Sequence, residues 1–146
     1  MSQPTQPSEP EAGPDNWSDT MGLEVTEWTA ERVVARLEPD SRHHQPYGIL
    51  HGGVYCSIVE DVASRGAGMA ARASGQRGVV GVSNSTDFLR SHSGGALLAV
   101  ALPVHASRTQ HIWQVVISRS SDGKPVARGQ VRFQVLDRLP GERGRG

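Results

Sequence analysis

This 146-residue chain has one cysteine, three Trp, two Tyr and two Phe, and its 15 Lys and Arg balance 15 Asp and Glu. Each shortage excludes something. A lone Cys56 rules out an internal disulfide and any cysteine-based metal cage, and it suits a reducing compartment. Zero net charge leaves no basic field of the kind that drives nonspecific nucleic-acid binding, so an anionic ligand has to be held by local groups and no nucleic-acid partner is expected. No run approaches the roughly 18 apolar residues of a membrane span. The N-terminal stretch MSQPTQPSEPEAGPDN has neither the basic nor the apolar region of a leader. The expectation is a cytoplasmic protein with no membrane partner.

The length suits one domain. Residues 1–17 are rich in Pro, Ser, Gln and Glu and have little to bury, so they read as a disordered tail; residues 139–146 read as a flexible C-terminal tail. Between them, residues 18–138 form the folded unit. Partial alternation over 23–28 and 31–38 predicts two short strands. The period then changes: Val54, Ile58, Val59, Val62, Ala63, Ala67, Ala70 and Ala71 recur at helical spacing, predicting one long helix from Gly53 to about Ala73. Its many small residues would let a sheet approach closely. Four strands follow, over 79–89, 96–107, 112–120 and 125–136, with Ser93-Gly94-Gly95 and Ser121-Asp122-Gly123 as turns. Helix and strands are segregated, which indicates an α+β unit. One helix cannot cover such a sheet, so a second copy is expected at an edge or face.

The chemistry concentrates in HHQPYGILHGGVYCSIVEDVASRGA, residues 43–67. Gly52 and Gly53 sit where the helix begins, with backbone N–H groups lacking intrahelical partners and the positive end of the helix dipole. A thioester carbonyl brought there would be polarised toward a tetrahedral oxyanion. Two turns on, Glu60 shares a stripe with Cys56 and Ser64, while Asp61 lies about 100° round the helix, spaced to pair with Arg65.

The order Gln45, His51-Gly52-Gly53, Glu60, Ser64 resembles the hot-dog thioesterases: the 4-hydroxybenzoyl-CoA type of soil actinobacteria and the phenylacetate- and menaquinone-pathway thioesterases. The likeness runs over roughly 22–136 and includes Phe88-Leu89-Arg90 and the segment HASRTQHIW at 105–113, which is similar to dihydroxynaphthoyl-CoA thioesterases. It implies a hot-dog fold, an antiparallel sheet wrapped around one long helix. It also implies a homodimer, extended in many relatives to a tetramer, with active sites between protomers. Glu60 would be nucleophile or general base; the Gly52 N–H would bind the thioester oxygen. Gln45 would orient substrate or water, His51 would support the oxyanion loop or leaving group, and Ser64 would bond water or the acyl end. Gly53, Arg90, Ser107 and Arg108 are the candidates for holding coenzyme A, which is substrate here; no separate cofactor or metal is expected. The phenylacetate branch carries Asp and Asn where this chain has Glu60 and Gln45, which favours a hydroxybenzoyl- or naphthoyl-like acyl group.

Other functions compete for the same fold. A hot-dog dehydratase would need an Asp and His pair in a hydratase-type motif, which is missing. A noncatalytic acyl-CoA binder, or a thioesterase for medium- or long-chain acyl-CoA, remains open on the residues alone. The six histidines have no ligand spacing on one element with a carboxylate, so they read as scattered polar residues.

Overall fold

The computed structural model describes residues 16–142. Its elements run α1 (Trp17–Met21), β1 (Glu24–Trp28), β2 (Val33–Leu37), α2 (Gly52–Ala73), β3 (Gly78–Phe88), β4 (Leu97–Ala106), β5 (Gln110–Arg119) and β6 (Pro125–Leu136), with a 3-10 turn over Ser41–His43. Six strands form one antiparallel sheet in the order β1-β2-β4-β5-β6-β3. The single long helix lies across its inner face, which is the expected hot-dog arrangement.

The small residues of α2 let the sheet close on it. A Cβ added to Gly66 would lie 2.3 Å from the indole of Trp113, a side chain of β5 with no exposed surface. Gly129 of β6 does the same from the sheet side, where a Cβ would come within 2.8 Å of Val59. Val59, Val62, Ala63 and Ala67 are wholly buried against Val115, Ile117, Val131 and Phe133. That dry side fixes the rotation of the helix, and it leaves the stripe of Cys56, Glu60 and Ser64 only partly covered.

Two features were not anticipated. Trp17, assigned to the tail, is the first residue of α1, a helix capped by the Asn16 side chain and ended by Gly22 in the left-handed region (φ 78°). At the other end, Glu142 pairs with Arg77 and accepts from the Leu139 N–H at 3.1 Å, so part of the expected C-terminal tail is tied down. The remainder of both tails, residues 1–15 and 143–146, lies outside the described residues.

The sheet has two open edges, β1 and β3. β3 is the longer of the two at 11 residues. It carries exposed Val80, Val82 and Phe88, and a bulge falls between Gly81 and Ser83.

Candidate active site

The start of α2 is organised by His51. Its Nδ1 accepts the Gly53 N–H at 2.8 Å, and its carbonyl accepts the Val54 N–H at 3.0 Å. A backbone N–H can only donate, so Nδ1 is the unprotonated nitrogen and the ring's proton sits on Nε2. The cap uses the Gly53 N–H internally. Among the described residues the Gly52 N–H finds no acceptor, which leaves it as the donor that can face a ligand at the positive end of the helix. Phe88 packs against the Cα of Gly52: a Cβ there would meet that ring at 2.7 Å.

Around this point a first cleft of about 310 Å³ is lined by Gln45, Ile49, Leu50, Gly52, Tyr55, Phe88, Leu89, Arg90 and Ser91. Gln45 Oε1 accepts the Tyr47 N–H in its own tight loop, so its amide NH₂ is the end available to a ligand. Arg90 is braced by donation from Nη1 to the Pro125 carbonyl at 2.6 Å. Tyr55 is 3 % exposed, its ring centroid 5.9 Å from that of Phe88, and its hydroxyl has no partner among the described residues. Burial raises its pKa, so the phenol stays protonated and able to donate.

A second cleft, about 370 Å³, opens further along the helix and is lined by Trp17, Cys56, Ser57, Glu60, Asp61 and Ser64. Glu60 is held here from the sheet. Asn84 Nδ2 donates to Glu60 Oε2 at 3.0 Å and to the Cys56 carbonyl at 3.1 Å, and Thr86 donates to Asn84 Oδ1 at 2.7 Å, fixing which way the amide points. The strand passes so close that a Cβ at Gly81 would lie 2.1 Å from Glu60 Oε1. Asp61 lines the same cleft, but its Oδ2 accepts from Arg65 Nε at 2.8 Å, the i,i+4 pair expected of it. Two adjacent acids are thus differently committed: one to a guanidinium, the other to a neutral amide that leaves its charge available.

The clefts share no lining residue. Eight residues of helix separate Gly52 from Glu60, a rise of about 12 Å, and even a side chain leaning back one turn leaves several ångströms between that carboxylate and a carbonyl on the Gly52 N–H. Attack needs about 3–3.5 Å. Within one chain, therefore, Gln45, Gly52 and Arg90 come together, Glu60 and Ser64 come together, and the two groups stand apart.

Ser107 and Arg108 join neither group. Ser107 Oγ accepts the Gln110 N–H at 3.1 Å and closes the β4–β5 turn; the Arg108 carbonyl accepts from Gln76, just past the far end of α2. Some 33 Å of helix lies between that turn and Gly52. The histidines divide by burial: His51 and His105 are exposed and His44 is partly covered. His43, His92 and His111 are buried, with His43 bonded to the Met21 carbonyl at 2.7 Å and His92 to that of Gly95 at 2.8 Å. Of the aromatics, Trp113 is core and Trp28 lies under the Arg65 guanidinium. The residues that sequence reasoning missed are Asn84, Thr86, Gly81, Tyr55 and Trp17. The polar Asn84 and Thr86, two apart in a strand, were the one available signal that the helix-facing side of β3 is not all core.

Comparison with known proteins decides the family: the sequence pattern of the Thioesterase superfamily matches residues 47–126, which span the start of α2, Glu60 and Asn84. The chain belongs to the thioesterase superfamily. It is a thioester hydrolase. It is 40 % identical to Mycobacterium tuberculosis “Putative esterase Rv1847” over 92 % of this chain and 99 % of that protein. The crystal structure of AziG from S. sahachiroi is 42 % identical and superposes with a TM-score of 0.79, covering 86 % of this chain and 98 % of that one. A Listeria monocytogenes protein named 1,4-dihydroxy-2-naphthoyl-CoA hydrolase is 30 % identical over 71 % of this chain and 83 % of its own length. No helix among the described residues is long and apolar enough to cross a membrane.

Proposed function

We propose that this thioesterase hydrolyses an aromatic acyl-CoA, hydroxybenzoyl- or dihydroxynaphthoyl-like, to the free acid and CoA, at a site completed between two copies of the chain. The observation that carries the reading is the division of the chemistry between two clefts. An oxyanion donor without a carboxylate lies at one, and a held carboxylate without an oxyanion donor lies at the other. The open β3 edge with its exposed Val80, Val82 and Phe88 supports it: a second copy paired there about a two-fold axis, with the helices antiparallel, would bring the first cleft of one copy to the second cleft of the other.

In this reading the thioester oxygen accepts from the Gly52 N–H and the Gln45 amide, and negative charge gathers there as the carbonyl carbon becomes tetrahedral. The Glu60 carboxylate of the other copy either attacks that carbon or takes a proton from the water that does. When the tetrahedral species collapses, the C–S bond breaks and its electron pair leaves with the CoA sulfur. Direct attack gives a mixed anhydride that water then cleaves; base catalysis gives the acid at once. Asn84 keeps Glu60 in one rotamer, Ser64 bonds the water or acyl end, His51 holds the loop, and Arg90 takes CoA phosphate oxygens. Gly53 contributes close backbone approach rather than a free N–H. CoA enters as part of the substrate, and the reading calls on no cofactor.

The name of the Listeria relative supports an aromatic acyl group. Ile49, Leu50 and Leu89 in the first cleft favour a second reading, a medium- or long-chain acyl-CoA. Thiol release from benzoyl- and naphthoyl-type CoA thioesters beside palmitoyl-CoA separates the two. The aromatic reading expects the higher kcat/KM on an aryl thioester, and a palmitoyl-CoA value above every aryl one contradicts it. CoA affinity without turnover on any thioester would mark a binding protein instead.

A further inference from the structure

Of the three tryptophans only Trp17 offers its ring to solvent: it is 61 % exposed, while Trp113 is buried and Trp28 is half-buried with Nε1 donating to the Arg65 carbonyl. An exposed indole needs an explanation when the segment holding it is so firmly placed. α1 is tied down along its length. Met21 is 2 % exposed, its carbonyl bonds buried His43 at 2.7 Å, the Thr20 carbonyl accepts from Arg42 at 3.0 Å, and Ser18 Oγ receives Arg65 Nη2 at 3.4 Å. The Asp61 pair with Arg65 connects that anchor to the turn of α2 carrying Glu60. The effect is to hold one flat apolar surface at the cleft whose other walls are a thiol, two hydroxyls and two carboxylates.

We propose that Trp17 is the platform on which the substrate's acyl group lies, and that it selects a planar aromatic acyl over a flexible alkyl one. The inference rests on the proposed role of Glu60. With the thioester carbon at that carboxylate, the acyl group extends about one ring's length away; among the residues lining the Glu60 cleft the indole is the aromatic face, while Phe88 lines the Gly52 cleft. Offset stacking rewards a planar ring beyond the area it buries, whereas an alkyl chain gains only the area and loses rotamer freedom. Trp17 also lies outside the region that matches the superfamily pattern, residues 47–126, which holds Gly52 and Glu60.

The test is the ratio of kcat/KM on benzoyl-CoA to that on hexanoyl-CoA for the full chain and for Trp17→Leu and Trp17→Phe. Trp17→Leu keeps apolar bulk and loses the ring; it is expected to lower the aryl value about fivefold to tenfold while the hexanoyl value stays within about twofold. Trp17→Phe should restore most of the aryl value. A ratio unchanged in Trp17→Leu overturns the platform while leaving hydrolysis at Glu60 standing. The same ratio accompanied by weakened self-association in sedimentation assigns Trp17 to the contact between copies, again against the proposal. If the unmodified chain releases thiol from neither substrate, the functional reading fails and the platform with it.

Discussion

The two clefts along α2 differ in what they lack. The first has donors, from Gly52, Gln45, Arg90 and the buried Tyr55 hydroxyl, and no carboxylate. The second has Glu60, fixed by Asn84, and Asp61, neutralised by Arg65, with no helix-terminal N–H. The difference arises from elementary geometry. A helix start gathers unsatisfied N–H groups at one level, and a carboxylate placed two turns later cannot return to that level. In the proposed reading the two halves meet through a second copy. The lesson is that adjacency in a sequence motif is not adjacency in one molecule.

The predictions test that division. Glu60→Gln keeps size and hydrogen-bonding capacity and removes the anion, so steady-state hydrolysis of a good aryl-CoA should fall about a hundredfold or more in kcat, with product-CoA affinity measured separately and nearly unchanged. Unaltered kcat would remove Glu60 from the chemistry. Asn84→Ala leaves the charge but releases the rotamer; a hydrogen bond to a charged group is worth ~1.5–3 kcal/mol, so kcat should drop roughly tenfold to a hundredfold with KM little changed. Asp61→Asn should stay within about twofold of the parent in kcat and lose at most ~1 kcal/mol in denaturant unfolding, because its partly exposed pair is that of an ordinary surface ion pair. If Asp61→Asn were the dead variant, the assignment of the two acids would be reversed.

The smallest effect lies outside both clefts. His111 in β5 is 3 % exposed and its Nδ1 has no partner among the described residues; burial, with the nearby His105 a lesser cause, lowers its pKa from the ordinary 6.5. The folded state therefore holds this proton less readily than the unfolded one. The resulting stability is fully present above pH 6.5 and is lost as pH falls below it toward the folded pKa. Chemical denaturation across that window should show the loss, and His111→Gln should flatten it. An equal slope in the variant would assign the effect to another group.

Much of this was legible in the sequence, and the parts that were not share a cause. The long helix and six strands followed from period changes and turn residues, because each buries one face and the pattern is local. Gln45, His51, Gly52 and Glu60 were legible as candidates in one short stretch, whereas the capping bond from the Gly53 N–H to His51 was not. Asn84 escaped because it reaches Glu60 across 24 residues, through a register set by the bulge beside Gly81. The α1 helix escaped because five residues give no period, and its anchors, Arg42, His43 and Arg65, are distant in the chain. Ser107 and Arg108 were grouped with the site by segment likeness, although a hairpin turn at the far end of α2 cannot join it within one copy. Likeness carries residue types; only the fold carries their distances.

Mixing two inactive variants tests the division between copies most directly. Glu60→Gln lacks the carboxylate half and Gln45→Ala lacks a donor from the other half, and each alone should be strongly impaired. Unfolded together and refolded, they form mixed pairs in which one of the two sites has both an intact Gln45 and an intact Glu60. Random pairing then predicts recovery of about a quarter of the parent's activity, with the two variants refolded separately and then mixed showing none. If co-refolding recovers nothing while the mixed pairs are shown to form, each copy carries its whole site and the account of the two clefts is wrong.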